Sequence, residues 1–141
     1  LASGLRDNIY SIAENLQQVE VLDPERIELV KSRIDKNIKE LIPRDSFDEN
    51  RFEQELIYYI EKLDISEEKT RLKSHLEYFL KAMDSDESGG KKLNFISQEI
   101  GREINTIGSK ANYVAIQRHV ISMKEELEKI IQATLELLKS K

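Results

Sequence analysis

One stretch of this sequence concentrates side chains that could do chemistry. Gly89 to Asn112 reads GGKKLNFISQEIGREINTIGSKAN. It holds Lys91, Lys92, Arg102 and Lys110 against Glu99 and Glu103, a local charge of +2. At about 100° per residue, Glu99 and Glu103 share a helix face with Lys92, Thr106 and Lys110, flanked by Arg102 and Phe95. Two carboxylates four residues apart repel by a few tenths of a kcal/mol unless a cation joins them. That cation could be Arg102, Lys110 or a metal ion. A carboxylate pair on one helix suits an oxygen-loving divalent metal, and a basic, hydroxyl-bearing rim beside it suits a phosphate. The plain alternative is a solvated helix face, which shows the same spacing.

A second stretch, residues 65–80, reads ISEEKTRLKSHLEYFL. Glu68, Arg71 and His75 fall within roughly 60° of one another around a helix. His75 could act as a general base or a neutral metal ligand. Its structural alternative is a half-buried imidazole bonded to Glu68 or set near Arg71. His119, flanked by Arg118, reads as a surface residue. No Ser-His-Asp arrangement, Walker loop or dinucleotide fingerprint is present.

These side chains must be positioned by helices. Apolar residues recur at helical spacing along nearly the whole chain. Leu5, Ile9, Ile12, Leu16 and Val19 form a first stripe. Ile27, Val30, Ile34, Ile38 and Leu41 form a second, begun by Asp23-Pro24 as cap and first helical residue and ended at Pro43. Phe52, Leu56, Tyr59, Ile60 and Leu63 form a third, with Ser46 and Glu49 as a capping box. Ile65, Leu72, Leu76, Phe79, Leu80 and Met83 form a fourth, capped by Asp64 or Ser66. Residues 84–90, rich in Asp, Ser and Gly, read as a flexible loop. Leu93, Ile96, Ile100, Ile104 and Ile107 form the fifth stripe. Ile116, Val120, Met123, Leu127, Ile130, Thr134 and Leu137 form the sixth, a heptad seam. Ile131, Leu135 and Leu138 add a further stripe, suited to a helix wedged between neighbours or to an oligomer contact. Gly101 and Gly108 mark close helix packing, since a helical glycine costs about 1 kcal/mol. The expectation is an all-α fold of about six helices in an antiparallel, bundle-like arrangement.

Composition narrows the function classes. The 141 residues contain no cysteine, which excludes a disulfide framework, a thiolate metal site and a cysteine nucleophile. No apolar run approaches the roughly 18 residues of a membrane span. The net charge is −5, so the chain outside the basic window carries −7. Any attraction to nucleic acid must therefore be local. Residue 1 is Leu, and no signal-peptide pattern follows it. The expectation is one helical domain over residues 1–141, cut from a longer polypeptide.

With these residues in place, the sequence resembles the C-terminal half of the YicC/YloC-like bacterial proteins. The shared run is Gly90-Lys91-Lys92-Leu93, Phe95, Gln98-Glu99, Arg102-Glu103, Asn105-Thr106 and Ser109-Lys110. Two upstream blocks match as well: Asp64 to Glu68 with Arg71 to His75, and Asp48-Glu49 with Arg51 and Gln54-Glu55. The last helix departs from the family pattern at Ile130 to Leu135, where arginine and glutamate positions are lost. The resemblance implies a cytoplasmic, metal-dependent endoribonuclease that hydrolyses RNA phosphodiester bonds. It implies manganese first and magnesium second as the ion, and a homo-oligomeric ring, a hexamer in the full-length protein. It implies an N-terminal domain outside this chain and no membrane partner. Carried over residue by residue, Glu99, Glu103 and His75 would hold metal. His75, Glu99, Glu103 and Arg102 would be catalytic. Arg71, Lys91, Lys92, Gln98, Asn105, Thr106, Ser109 and Lys110 would bind RNA and its phosphates. The competing readings are a non-catalytic oligomerisation scaffold, with the polar motif as a buried network, and a non-enzymatic RNA-binding module.

Overall fold

The computed structural model describes residues 2–41, 48–85 and 89–139. Among them are five helices and no strand: α1 (Ala2–Leu41), α2 (Glu49–Leu63), α3 (Ser66–Asp84), α4 (Gly90–Lys110) and α5 (Val114–Lys139). The all-α expectation holds. The count differs by one because the first two stripes lie on a single helix that runs through Pro24. A proline inside a helix loses one backbone bond and crowds the carbonyl four residues back, at a cost of about 3 kcal/mol. Here tertiary bonds offset that cost. Asp23 does not cap a helix. It accepts from Arg26 Nε at 2.8 Å and lies 3.4 Å from Lys69 Nζ on α3. Arg26 in turn donates to the carbonyls of Leu63 and Lys110, so the chain on both sides of Pro24 is held to its neighbours.

Four helices make the core. The first half of α1 packs on α5, α5 on α4, α4 on α3, and α3 back on α1. The apolar stripes supply it: Leu5 to Val19, Leu72 to Phe79, Leu93 to Ile107 and Ile116 to Ile130 are buried at their stripe positions. Fully burying such a side chain contributes about 1.5–3 kcal/mol. The second and third stripes behave differently. From Ile27 to Glu40 α1 has no buried residue, and α2 has none. These two segments form an arm whose apolar positions are half-buried, with Ile57, Tyr58 and Tyr59 exposed. On α5, Ile131 packs on the core while Leu135 and Leu138 face solvent.

The helix ends follow local chemistry. Asp48 Oδ1 accepts from the N–H groups of Asn50 and Arg51 and caps α2. The expected cap Ser46 lies outside the described residues, as does the middle of the 84–90 loop. Ahead of α3, Asp64 Oδ1 accepts from the hydroxyl of Ser66 at 2.6 Å and from its N–H at 3.1 Å. The Ser66 hydroxyl is the main reason the Asp64 carboxyl sits below its ordinary range.

The glycines of α4 set its distance from α5. A Cβ on Gly101 or Gly108 would meet Leu127 or Val120 at 3.0 and 3.1 Å. At Gly90 it would meet the backbone of α5 itself, 2.9 Å from Leu138 N and 3.0 Å from Thr134 O. Backbone cannot yield as a side chain can. Gly90→Ala is therefore expected to lower stability by about 1–3 kcal/mol, as overpacking does. Gly4→Ala is the control, because nothing lies within 4 Å of its Cβ position. Equal urea midpoints for the two variants would refute this assignment.

Candidate nucleic-acid interface

The helices α3 and α4 run antiparallel, and charged side chains pair across their seam. Lys110 Nζ donates to both carboxylate oxygens of Glu68, at 3.3 and 3.0 Å, and to the carbonyl of Asp64. Arg71 Nε donates to both oxygens of Glu103, at 2.9 and 3.0 Å. Arg71 Nη1 also reaches Glu67 at 3.1 Å. Glu103 and then Glu67 hold the Arg71 guanidinium still more firmly protonated than usual. Glu68 and Glu103 are 2% and 4% exposed, so each buried carboxylate has its cation. Burial of a charge without such a partner would be costly.

This seam joins the Pro24 region. The carbonyl of Lys110 accepts from Arg26, which binds Asp23, which contacts Lys69. The result is one connected polar network through α1, the end of α2, α3 and the end of α4. Low local dielectric strengthens such bonds when every member is satisfied.

The cations expected to join Glu99 to Glu103 are placed otherwise. Glu103 takes Arg71, which lies 32 residues earlier in the chain. Glu99 is half-buried and 3.8 Å from Arg102. Lys110 is committed to Glu68. His75 is one turn beyond Arg71, and Glu99 one turn before Glu103, so the antiparallel register sets them level along the seam. Among the described residues His75 makes no hydrogen bond or ion pair, and no three His, Cys, Asp or Glu side chains converge as a metal-ligand group. His119 is not a simple surface residue: its Nδ1 lies 2.8 Å from Asn15 Oδ1 and ties α5 to α1.

The outer side of α4 carries a different set. Lys91, Phe95, Gln98, Arg102, Asn105 and Ser109 are all exposed. At 100° per residue they fall within an arc of about 80°. The row contains no carboxylate, although the chain as a whole is acidic. Ser109 and Thr106 donate their hydroxyl protons to the carbonyls of Asn105 and Arg102, both at 3.0 Å, and keep acceptor lone pairs. Lys92 turns the other way and sits over the ring of Tyr78, 5.2 Å from its centroid. Phe95 is 65% exposed, the most exposed aromatic side chain among the described residues.

The sequence matches the family described as "Endoribonuclease YicC-like, C-terminal" over residues 19–135. This chain belongs to that family. A "Probable endoribonuclease YicC" of Clostridioides difficile is 37% identical over 131 residues, spanning 92% of this chain and 45% of that protein. A "Probable endoribonuclease YicC" of Haemophilus influenzae is 32% identical over 85 residues, 60% of this chain and 30% of that protein. The chain thus spans less than half the length of these curated relatives.

Apart from His75, the residues carried over by resemblance divide into two groups in this YicC-like domain. Arg71, Glu103 and Lys110 belong to the polar network. Lys91, Gln98, Arg102, Asn105 and Ser109 form the exposed row, with Lys92, Glu99 and Thr106 beside it. Phe95 joins the row without having been singled out as a binding residue. Its signal was present: an aromatic out of phase with the Leu93 to Ile107 stripe has no core to fill. No helix among the described residues is long and apolar enough to cross a membrane.

Proposed function

We propose that this domain binds a single RNA strand along the outer row of α4 and takes part in cleaving it. The observation that supports the reading best is the row itself: exposed, free of carboxylates, and carrying an aromatic ring among cations and amides in an acidic chain. Every base has a π-face, so an exposed Phe95 gives a stacking platform for any sequence. Lys91 and Arg102 contact phosphates. Gln98 and Asn105 offer both donors and acceptors to base edges and ribose hydroxyls.

Cleavage needs charge stabilisation on the phosphoryl oxygens and two proton transfers. Arg102 supplies the first. Glu99, its neighbour, accepts the proton of the attacking hydroxyl, and His75 serves as the proton donor to the departing ribose oxygen. Glu103 holds the seam through Arg71 and takes no part in the reaction, because both its oxygens are occupied.

The divalent ion implied by resemblance would use Glu99, Glu103 and His75. That donor set does not fit an ion in this arrangement, since Arg71 already holds the Glu103 carboxylate, and no step is assigned to one. Melting the chain with and without manganese tests this directly. An ion that binds the folded state at a hundred times its Kd raises stability by about 2.7 kcal/mol. An unchanged Tm is the expected result, and a large rise would return Glu103 to metal ligation.

Binding tests the larger reading. Phe95→Ala is expected to weaken a labelled single-stranded oligoribonucleotide about 5- to 150-fold, the range of one lost stacking contact. The exposed position leaves the fold intact, so the Tm stays put. Unaltered affinity would remove α4 from the interface. A homo-oligomer, with the exposed side of the arm at Ile57 and Tyr58 covered by another copy, belongs to the same proposal.

A further inference from the structure

A second cationic feature lies away from the outer row of α4. A cleft of about 410 Å³ opens between the middle of α1 and the start of α5. That volume falls within the ~300–1,000 Å³ typical of small-ligand sites. Arg26, Val30 and Arg33 follow one another at helical spacing on α1 and face it, and Arg118 faces it from α5. No acidic residue lines the cleft, and the first turn of α5 has none. Two carboxylates touch its lining: Asp23, bound by the buried Arg26 at 2.8 Å, and Glu25, which accepts from the hydroxyl of Tyr113 at 3.3 Å.

The three arginines are not equivalent. Arg26 is buried and spends its donors on Asp23, Leu63 and Lys110. Arg33 and Arg118 are exposed and have no ion pair among the described residues. Two uncompensated guanidiniums on one cleft repel each other and attract an anion. The remaining wall is apolar and aromatic, with Leu29 41% exposed, Val114 71% exposed and Tyr113 half-buried. Cations beside an apolar, aromatic wall are the complement of a nucleotide: its phosphate takes the guanidiniums bidentately, and its base covers the wall.

We propose that this cleft anchors one nucleotide of an RNA strand, with its phosphate between Arg33 and Arg118. The proposal rests on RNA being the ligand of the domain, and it adds a contact point separate from α4.

The test is fluorescence anisotropy of a labelled single-stranded oligoribonucleotide with the 141-residue chain across a salt series. Arg33→Gln/Arg118→Gln is expected to weaken binding at least tenfold at low salt. The slope of log K against log salt should fall by about 0.7, the value for one phosphate contact on a single strand. Arg33→Lys/Arg118→Lys should keep the slope, and the single Gln variants should each lose about half the change. Phe95→Ala runs in parallel. A normal slope in the double Gln variant, with Phe95→Ala still weakening binding, overturns the cleft and leaves the α4 reading intact. The reverse pattern overturns α4 and supports the cleft. No binding by the unmodified chain removes both. Adenosine monophosphate is titrated separately, and arginine-dependent binding as tight as that of the strand would show the ligand to be a free nucleotide, overturning the strand assignment.

Discussion

Arg26→Met is expected to lower the unfolding free energy by about 3–5 kcal/mol, the cost of breaking a buried ion pair from one side. Arg26 is 2% exposed and has donors on three elements: Nε on Asp23, Nη1 on the Lys110 carbonyl, Nη2 on the Leu63 carbonyl. Methionine fills similar space and donates nothing. Asp23, 8% exposed, would keep only the longer contact to Lys69. Two helix-end carbonyls would lose partners as well. The loss falls beside Pro24, where α1 already lacks a backbone bond. Calorimetry should show a Tm lower by roughly 10–20 °C, given a few degrees per kcal/mol for a domain of this size. Asp23→Asn added to Arg26→Met should recover part of the loss, since no buried charge is then left alone. A midpoint unmoved in urea would mean that the network does not hold the fold.

Arg102→Gln should have the largest effect on RNA cleavage, about 100- to 1,000-fold in turnover, as for loss of one preorganised charge-stabilising group. Arg102 is exposed, and its one ion-pair contact among the described residues is the 3.8 Å approach to Glu99. Its removal therefore leaves the fold unchanged, and the deficit belongs to the reaction. Glu103→Gln makes the contrast. It unpairs Arg71 inside the seam, so its effect should track the fraction of folded protein and disappear once that fraction is matched. Cleavage by the full-length protein, with folded fractions fixed by circular dichroism, separates the two. Equal deficits at matched folding would place Glu103 among the reacting groups.

What the sequence made legible was local. The α4 stripe from Leu93 to Ile107 is buried at each position read from its spacing. The glycines at 101 and 108 do mark close packing on α5. The misread features depended on distant partners. Asp23-Pro24 has the residue types of a helix start. Arg26 overrides that pattern through carbonyls 37 and 84 residues away. Glu99 and Glu103 share a face by spacing, yet one is clamped by Arg71 across the seam and the other is half-exposed. Spacing on one helix cannot reveal which side of a carboxylate pair meets a neighbouring helix. The stripes of the arm look as amphipathic as the core helices, but among the described residues no element covers them to the point of burial. Phe95 shows the converse case, a core-type residue whose phase excludes it from the core.

The length of α4 has a consequence for the length of the proposed RNA ligand. Lys91 and Ser109 lie eighteen residues apart on one uninterrupted helix. At ~1.5 Å per residue the row between them is about 27 Å long. A stacked strand advances ~3.4 Å per nucleotide, so about eight nucleotides cover the row from end to end. On the proposed reading the helix would work as a ruler. Affinity should rise with each added nucleotide up to about that length and level off beyond it, and the shortest products of cleavage should fall away from the row as soon as they form.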